Sequence, residues 1–197
     1  SITNIVNQLC SAYLTELESF SIESPLMQSL ISSNNKSIIS SYTYFFWSPN
    51  NLIPERYIEK IKFFWKSIID NAKEMKNAET DRLKLSAGFK WLTNFNELDD
   101  ELYEWLMIAA PYIEQSDKYF AYQNLEKLVI KSPEKVGKIL IELFKNGVSY
   151  DISRGRIATM VQVLYDNKLK EIADSICNIH GEKGIHFLRD VFQKNKS

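Results

Sequence analysis

Two histidines, His180 and His186, are the only imidazoles in 197 residues, and with Cys177 they spell C-x2-H-x5-H. Cys177 and His180 stand three apart, so one helix face can hold both, as two ligands of a metal ion such as zinc. Gly181 and Gly184 separate them from His186, and no fourth ligand is near in sequence. Structural zinc takes four ligands at denser Cys/His spacing, so a core cysteine and a helix-end histidine are expected instead. A nucleophilic Cys177 would need a base or a helix N-terminus. It lies near a helix C-terminus, where the dipole disfavours a thiolate.

Charged clusters are the next candidates. Asp99, Asp100, Glu101 and Glu104 open a helix, where carboxylates are already explained by the N-terminal dipole. A paired-carboxylate hydrolase would further require a cleft and a complementary group. Arg154 and Arg156, in Ser153-Arg154-Gly155-Arg156, form the one close arginine pair, suited to gripping phosphate or carboxylate. The plainer reading is a solvated helix start. Lys127, Lys131, Lys135, Lys138 and Lys145 line up as a basic ridge across two helices. Residues 77–117 hold 3 basic and 9 acidic groups, whereas residues 118–147 hold 6 basic and 3 acidic ones. These poles are either solvated faces or a partner-binding surface with electrostatic steering.

The elements that position these groups are helical. Apolar residues recur at helical spacing in nearly every segment. The first stripe, over 2–20, takes Ile2, Ile5, Val6, Leu9, Tyr13, Leu14 and Leu17. Ser24-Pro25 is a cap followed by an N1 proline, opening a short helix with Leu26, Leu30 and Ile31. A helix from Lys36 to Trp47 follows, then a loop at 48–54 with two prolines. The longest helix runs from Pro54 to about Lys76, with Ile58, Ile61, Phe64, Trp65, Ile68, Ile69 and Ala72 inward. Further helices are expected over Asp81–Thr93, Leu98–Ala110, Lys118–Lys131, Ser132–Lys145, 152–166, 168–180 and Glu182–Lys194. Pro111, Gly147 and Gly181 are their clearest stops. No segment shows strand alternation with hairpin punctuation.

Composition agrees. Six Gly and five Pro are few, which favours helices over a loop-rich β-sandwich. With 24 basic and 25 acidic residues the net charge is −1, and only 5 of the basic residues are arginine. A broad nucleic-acid surface is therefore not expected. Phosphate-cradling loops of the G-x-x-x-x-G-K-[ST] and G-x-G-x-x-G types are absent, as are G-x-S-x-G and H-E-x-x-H. No cofactor is expected. Cys10 and Cys177 are no disulfide framework and indicate a reducing compartment, so a cytoplasmic location is expected. No apolar run reaches the roughly 20 residues of a membrane span. The helix around Phe63, Phe64 and Trp65, flanked by Lys60, Lys62, Lys66 and Lys73, reads as a core helix with snorkelling lysines. Ser1 in place of a methionine reads as a cleavage or cloning remnant of something larger.

About ten short antiparallel helices in series predict an all-α, α-solenoid-like stack, with an irregular helical bundle as the alternative. One domain over 1–197 is expected, divisible into sub-bundles 1–76 and 77–197. Helix pairs after Ser132 recur about every 35 residues, near the periods of helical-repeat families. The cadence of Ile172-Ala173-Asp174-Ser175-Ile176-Cys177-Asn178, Gly181-Glu182-Lys183-Gly184 and Phe187-Leu188-Arg189 carries a resemblance. Trp105-Leu106 and Ala109-Ala110-Pro111 add to it. Over residues 98–192 the chain resembles HEAT- or TPR-like tails of large bacterial proteins, which occur behind NTPase or NAD-consuming effector domains, phage-defence systems included. The resemblance rests on helix-packing residues and transfers no catalytic one. It implies a non-catalytic recognition or scaffold domain, the C-terminal part of a larger cytosolic bacterial protein. The partner is then another protein or the rest of the parent chain. Rival readings are a nucleic-acid-binding helical repeat and an all-α enzyme built on carboxylates. The candidate partner contacts are Asp99, Asp100, Glu101, Glu104, Lys127, Lys131, Lys135, Lys138, Arg154 and Arg156.

Overall fold

The computed structural model describes residues 1–15, 20–46, 55–148 and 153–196. The loop read at 48–54, and the positions Leu17, Trp47, Pro54 and 152 of the helices read beside such gaps, lie outside these. Among the described residues there are eleven α-helices and no strand. They are α1 (Ile2–Thr15), α2 (Pro25–Ser32), α3 (Lys36–Phe46), α4 (Glu55–Ala72), α5 (Ala78–Leu92), α6 (Asp100–Ala109), α7 (Gln115–Leu128), α8 (Pro133–Phe144), α9 (Arg154–Asp166), α10 (Lys170–Glu182) and α11 (Arg189–Lys194). A 3-10 turn, Ala110–Tyr112, continues α6 through Pro111. The chain is thus all-α. It separates into two compact units, Ser1–Leu92 and Thr93–Ser197. A division after residue 76 would strand α5, which packs against both α3 and α4.

In the first unit α4 carries the core. Ile61, Phe64, Trp65, Ile68, Ile69 and Ala72 are all buried on one face, as their spacing requires. Their rings meet others: Phe46 lies 4.4 Å from Phe64, and Tyr42 5.3 Å from Phe64, centroid to centroid. Trp65 stacks on Trp91 of α5. Tyr13 ties α1 to α4 in both directions. Its hydroxyl donates to Lys60 O at 2.6 Å, and Lys60 Nζ donates to Tyr13 O at 2.7 Å. Two expected core positions of α1 are solvent-facing, since Ile2 and Ile5 are 47% and 59% exposed while Val6, Cys10 and Tyr13 are buried. Leu26 likewise faces out, and Met27 takes the buried place beside Leu30 and Ile31. Ser24 caps α2 by accepting from Met27 N, with Pro25 at N1. The long helix α4 ends at Ala72 rather than Lys76, because Met75 turns left-handed at φ +55°.

In the second unit each helix meets its next-but-one neighbour. α6 packs on α8 and α8 on α10; α7 packs on α9 and α9 on α11. Consecutive helices also touch from α7 onward. A close crossing lies at Gly137, where a Cβ would be 2.6 Å from Ile172 Cγ2 of α10 and 3.1 Å from Leu164 Cδ2 of α9. Gly137→Ala gains helix propensity of about 1 kcal/mol but overpacks this contact by about 1–3 kcal/mol. The expected result is a lower urea midpoint at unchanged slope; an unchanged or higher midpoint would show that the crossing yields.

Two helix ends depart from the sequence expectation. Gly181 does not stop α10, which continues to Glu182. The stop is Gly184 at φ +73°, where Gly184 N–H bonds Gly181 O and Ile185 N–H bonds His180 O, both at 2.9 Å. That paired pattern closes a helix on a left-handed residue, a conformation glycine adopts without Cβ strain. The helix expected over Glu182–Lys194 is consequently only Arg189–Lys194, behind a turn. Ser132 precedes the N1 proline of α8 but makes no side-chain cap.

Candidate functional site

The acidic cluster and the lysine ridge meet inside the second unit. Asp99 is the N-cap of α6, its Oδ1 accepting from Leu102 N at 2.8 Å. Asp100 pairs with Lys135 of α8 at 2.8 Å. The same ammonium donates to Leu98 O at 3.0 Å and lies 5.9 Å from the Tyr103 ring centroid. Lys131 donates to Asn96 O at 3.3 Å. Two of the lysines thus satisfy backbone carbonyls ahead of α6, fastening that connector to α8 and to the turn that precedes it. Lys138 pairs with Glu134 at 2.6 Å, one turn away on its own helix, and Lys145 with Glu142 at 2.5 Å. Such exposed pairs contribute little to stability. The hydrogen bond from Lys138 holds the Glu134 carboxyl below its ordinary range.

The arginine pair is divided between two tasks. Arg156 pairs with Glu126 of α7 and lies 5.9 Å from the Tyr119 ring centroid, so it joins α9 to α7. Arg154 is exposed and sits 5.8 Å from the Phe187 ring centroid. Glu101, Glu104 and Lys127 are exposed. Among the candidate contacts, Asp99, Asp100, Lys131, Lys135 and Arg156 make intramolecular bonds between elements or at a cap. Glu101 and Glu104 ride on α6 and Lys138 on α8, while Lys127 and Arg154 ride on α7 and α9.

The Cys177-His180-His186 pattern is taken apart by α10 and its turn. His180 is fully buried, with Nδ1 bonded to Ile176 O at 2.8 Å. Its ring stands edge-to-face with Phe144 at 4.6 Å and Phe187 at 5.2 Å. Burial pushes its pKa below the ordinary value of 6.5. His186 is exposed and lines a cleft of about 300 Å³ between α10 and α11, with Cys177, Asn178, Ile185, Arg189 and Phe192. Burial pushes the Cys177 thiol up. Tyr165 donates to Asp174 at 2.6 Å and lies 3.9 Å from Cys177 Sγ. Among the described residues no group of three or more His, Cys, Asp and Glu is placed to hold a metal ion.

One polar constellation has no helical-period signal in the sequence. In the first unit Asp81 and Lys84 are buried, within a helix buried on nearly all sides. Lys84 Nζ donates to Ile31 O and to Asn71 Oδ1, both at 2.9 Å. Asp81 Oδ2 accepts from Asn77 N at 2.8 Å. Burial lowers the Lys84 pKa, and the Asp81 charge opposes that shift. Ile31 is in the last turn of α2, so the ammonium satisfies a carbonyl that the helix itself leaves open. That is a structural task.

Among the described residues no helix is long and apolar enough to cross a membrane. No protein-family model matches the sequence, and neither a curated protein nor a solved structure matches it.

Proposed function

We propose that the chain is a non-catalytic helical-repeat domain that recognises another protein or the rest of its own parent chain, in the cytoplasm. The observation that carries this reading is the next-but-one stacking of the second unit, α6–α8–α10 beside α7–α9–α11. Two parallel rows of helices are the grammar of a solenoid, in which each repeat buries its apolar face on its neighbours and leaves a long outer face for a partner. The first unit shares part of this order, with α1 on α3, α2 on α4 and α3 on α5. Charge placement supports a protein partner over nucleic acid. The ridge lysines are distributed among Asp100, Glu134, Glu142 and backbone carbonyls rather than gathered on one phosphate-facing stripe. Cys10 and Cys177 are buried free thiols, which suits a reducing compartment.

The α6–α8–α10 row is the contact face in this reading, with Glu101 and Glu104 as its exposed acidic steering groups. The double variant Glu101→Lys/Glu104→Lys is expected to weaken partner binding about tenfold, mainly through the association rate. Lys127→Glu, on the other row, is expected to leave binding unchanged. Binding that ignores the double variant and follows Lys127→Glu would move the contact face to the α7–α9–α11 row. Indifference to both would remove charged steering from the proposal.

A further inference from the structure

His180 carries more structure than a helix-end histidine needs. Its Nε2 is buried and has no hydrogen-bond partner, while its Nδ1 is already committed to Ile176 O. Its ring is clasped by Phe144 from α8 and Phe187 from the segment after α10. Its backbone carbonyl accepts from both Lys183 N and Ile185 N, so the turn that leads to α11 hangs on this residue. The segment beyond is held by few other polar bonds, chiefly Lys183 Nζ to Phe144 O at 3.3 Å and Asn195 Nδ2 to Gln162 Oε1 at 3.2 Å.

A neutral imidazole fits this place. A protonated one would put a second N–H, at Nε2, where no acceptor waits. The surrounding charges reinforce that preference. Lys183, on the turn itself, acts on the ring directly and disfavours its protonation. Arg154 of α9 lies on the far ring, Phe187. Glu142 of α8 and Lys145, just past its last turn, neutralise each other as a pair. On α9, Tyr165 is spent on Asp174 of α10. On α11, Arg189 and Asp190 are exposed.

We propose that His180 is a proton-operated latch, whose protonation releases residues 183–196 from α8, α9 and α10. Release would part the walls of the α10–α11 cleft and expose Ile185 and Leu188, which are buried in the closed form. The sign follows from linkage. In the closed form the neutral ring is favoured, so closure is at full strength above the ordinary pKa of 6.5 and is lost as pH falls below it. One pH unit below that value, a freed imidazole is about tenfold more protonated than neutral, so the opening constant rises by up to about tenfold.

Hydrogen–deuterium exchange of the whole chain at about pH 7.5 and about pH 5.5, corrected for intrinsic exchange, reads this directly. The expected result is a several-fold loss of protection in peptides from 183–196 at the lower pH, abolished in His180→Phe, which keeps a ring between the two phenyls. His186→Asn, at the other and exposed histidine, is expected to keep the wild-type response. Equal protection at both pH values, or the same loss in His180→Phe, overturns the latch. If His180→Phe does not fold, an NMR titration of His186→Asn decides through its single imidazole. Protonation at position 180 that leaves 183–196 protected also overturns it.

Discussion

Trp65→Ala is expected to lower the unfolding free energy by about 3–5 kcal/mol, a large fraction of the roughly 5–15 kcal/mol of a typical domain. Trp65 is fully buried on α4, and its ring has Tyr42, Phe46, Phe64 and Trp91 as neighbours from three helices. Removing it leaves a void lined by rings that cannot collapse together, because each is fixed by its own helix. The indole Nε1 has no hydrogen-bond partner, so no polar bond is lost with it. The whole effect is volume and contact. Trp65→Phe should therefore recover a substantial part of the loss. Urea denaturation followed by far-ultraviolet circular dichroism measures both. A loss under about 1 kcal/mol for the alanine variant would mean the aromatic cluster is not the keystone of the first unit.

Lys84→Ala is expected to cost nearly as much, about 3 kcal/mol, for a different reason. The substitution removes the donor that serves Ile31 O and Asn71 Oδ1, takes away the cation beside Asp81, and empties the space of a four-carbon stem. Lys84→Met separates these contributions. It retains most of the volume and relieves the cost of a buried ammonium, while still orphaning the Ile31 carbonyl. The expected order of stability is wild type, then Met, then Ala. Alanine and methionine variants of equal, large loss would put the effect in the lost ammonium, its charge and its two hydrogen bonds together, and none of it in the stem. No loss in either would show that Lys84 only shelters there.

These two residues also show what the sequence made legible. Trp65 belongs to a stripe that repeats every three to four residues through α4, so its burial follows from periodicity. Lys84 has no such marker. Helix α5 is buried on nearly all sides, which erases the two-faced pattern that periodicity reads, and a lysine in it looks like any solvated one. The same blindness affected the surface. Charge runs located the acidic and basic poles, but only the fold brings Asp100 to Lys135 and Glu126 to Arg156, across 35 and 30 positions of chain. Helix ends differ from the sequence expectation where backbone conformation decides them. Gly184, not Gly181, adopts the left-handed turn after α10, and a non-glycine, Met75, does so after α4. Both glycines look alike as letters; which of them turns depends on where Ile185 and His180 must meet.

A recognition domain of this kind must bind protein. The most direct measurement is affinity capture by the folded chain from a lysate of its source organism, with and without nuclease and at low and high salt. The Glu101→Lys/Glu104→Lys variant runs in parallel. The predicted result is a discrete protein that resists nuclease and higher salt and is depleted on the variant. Capture that disappears with nuclease, or no protein enriched over the bare matrix under any of these conditions, would contradict it.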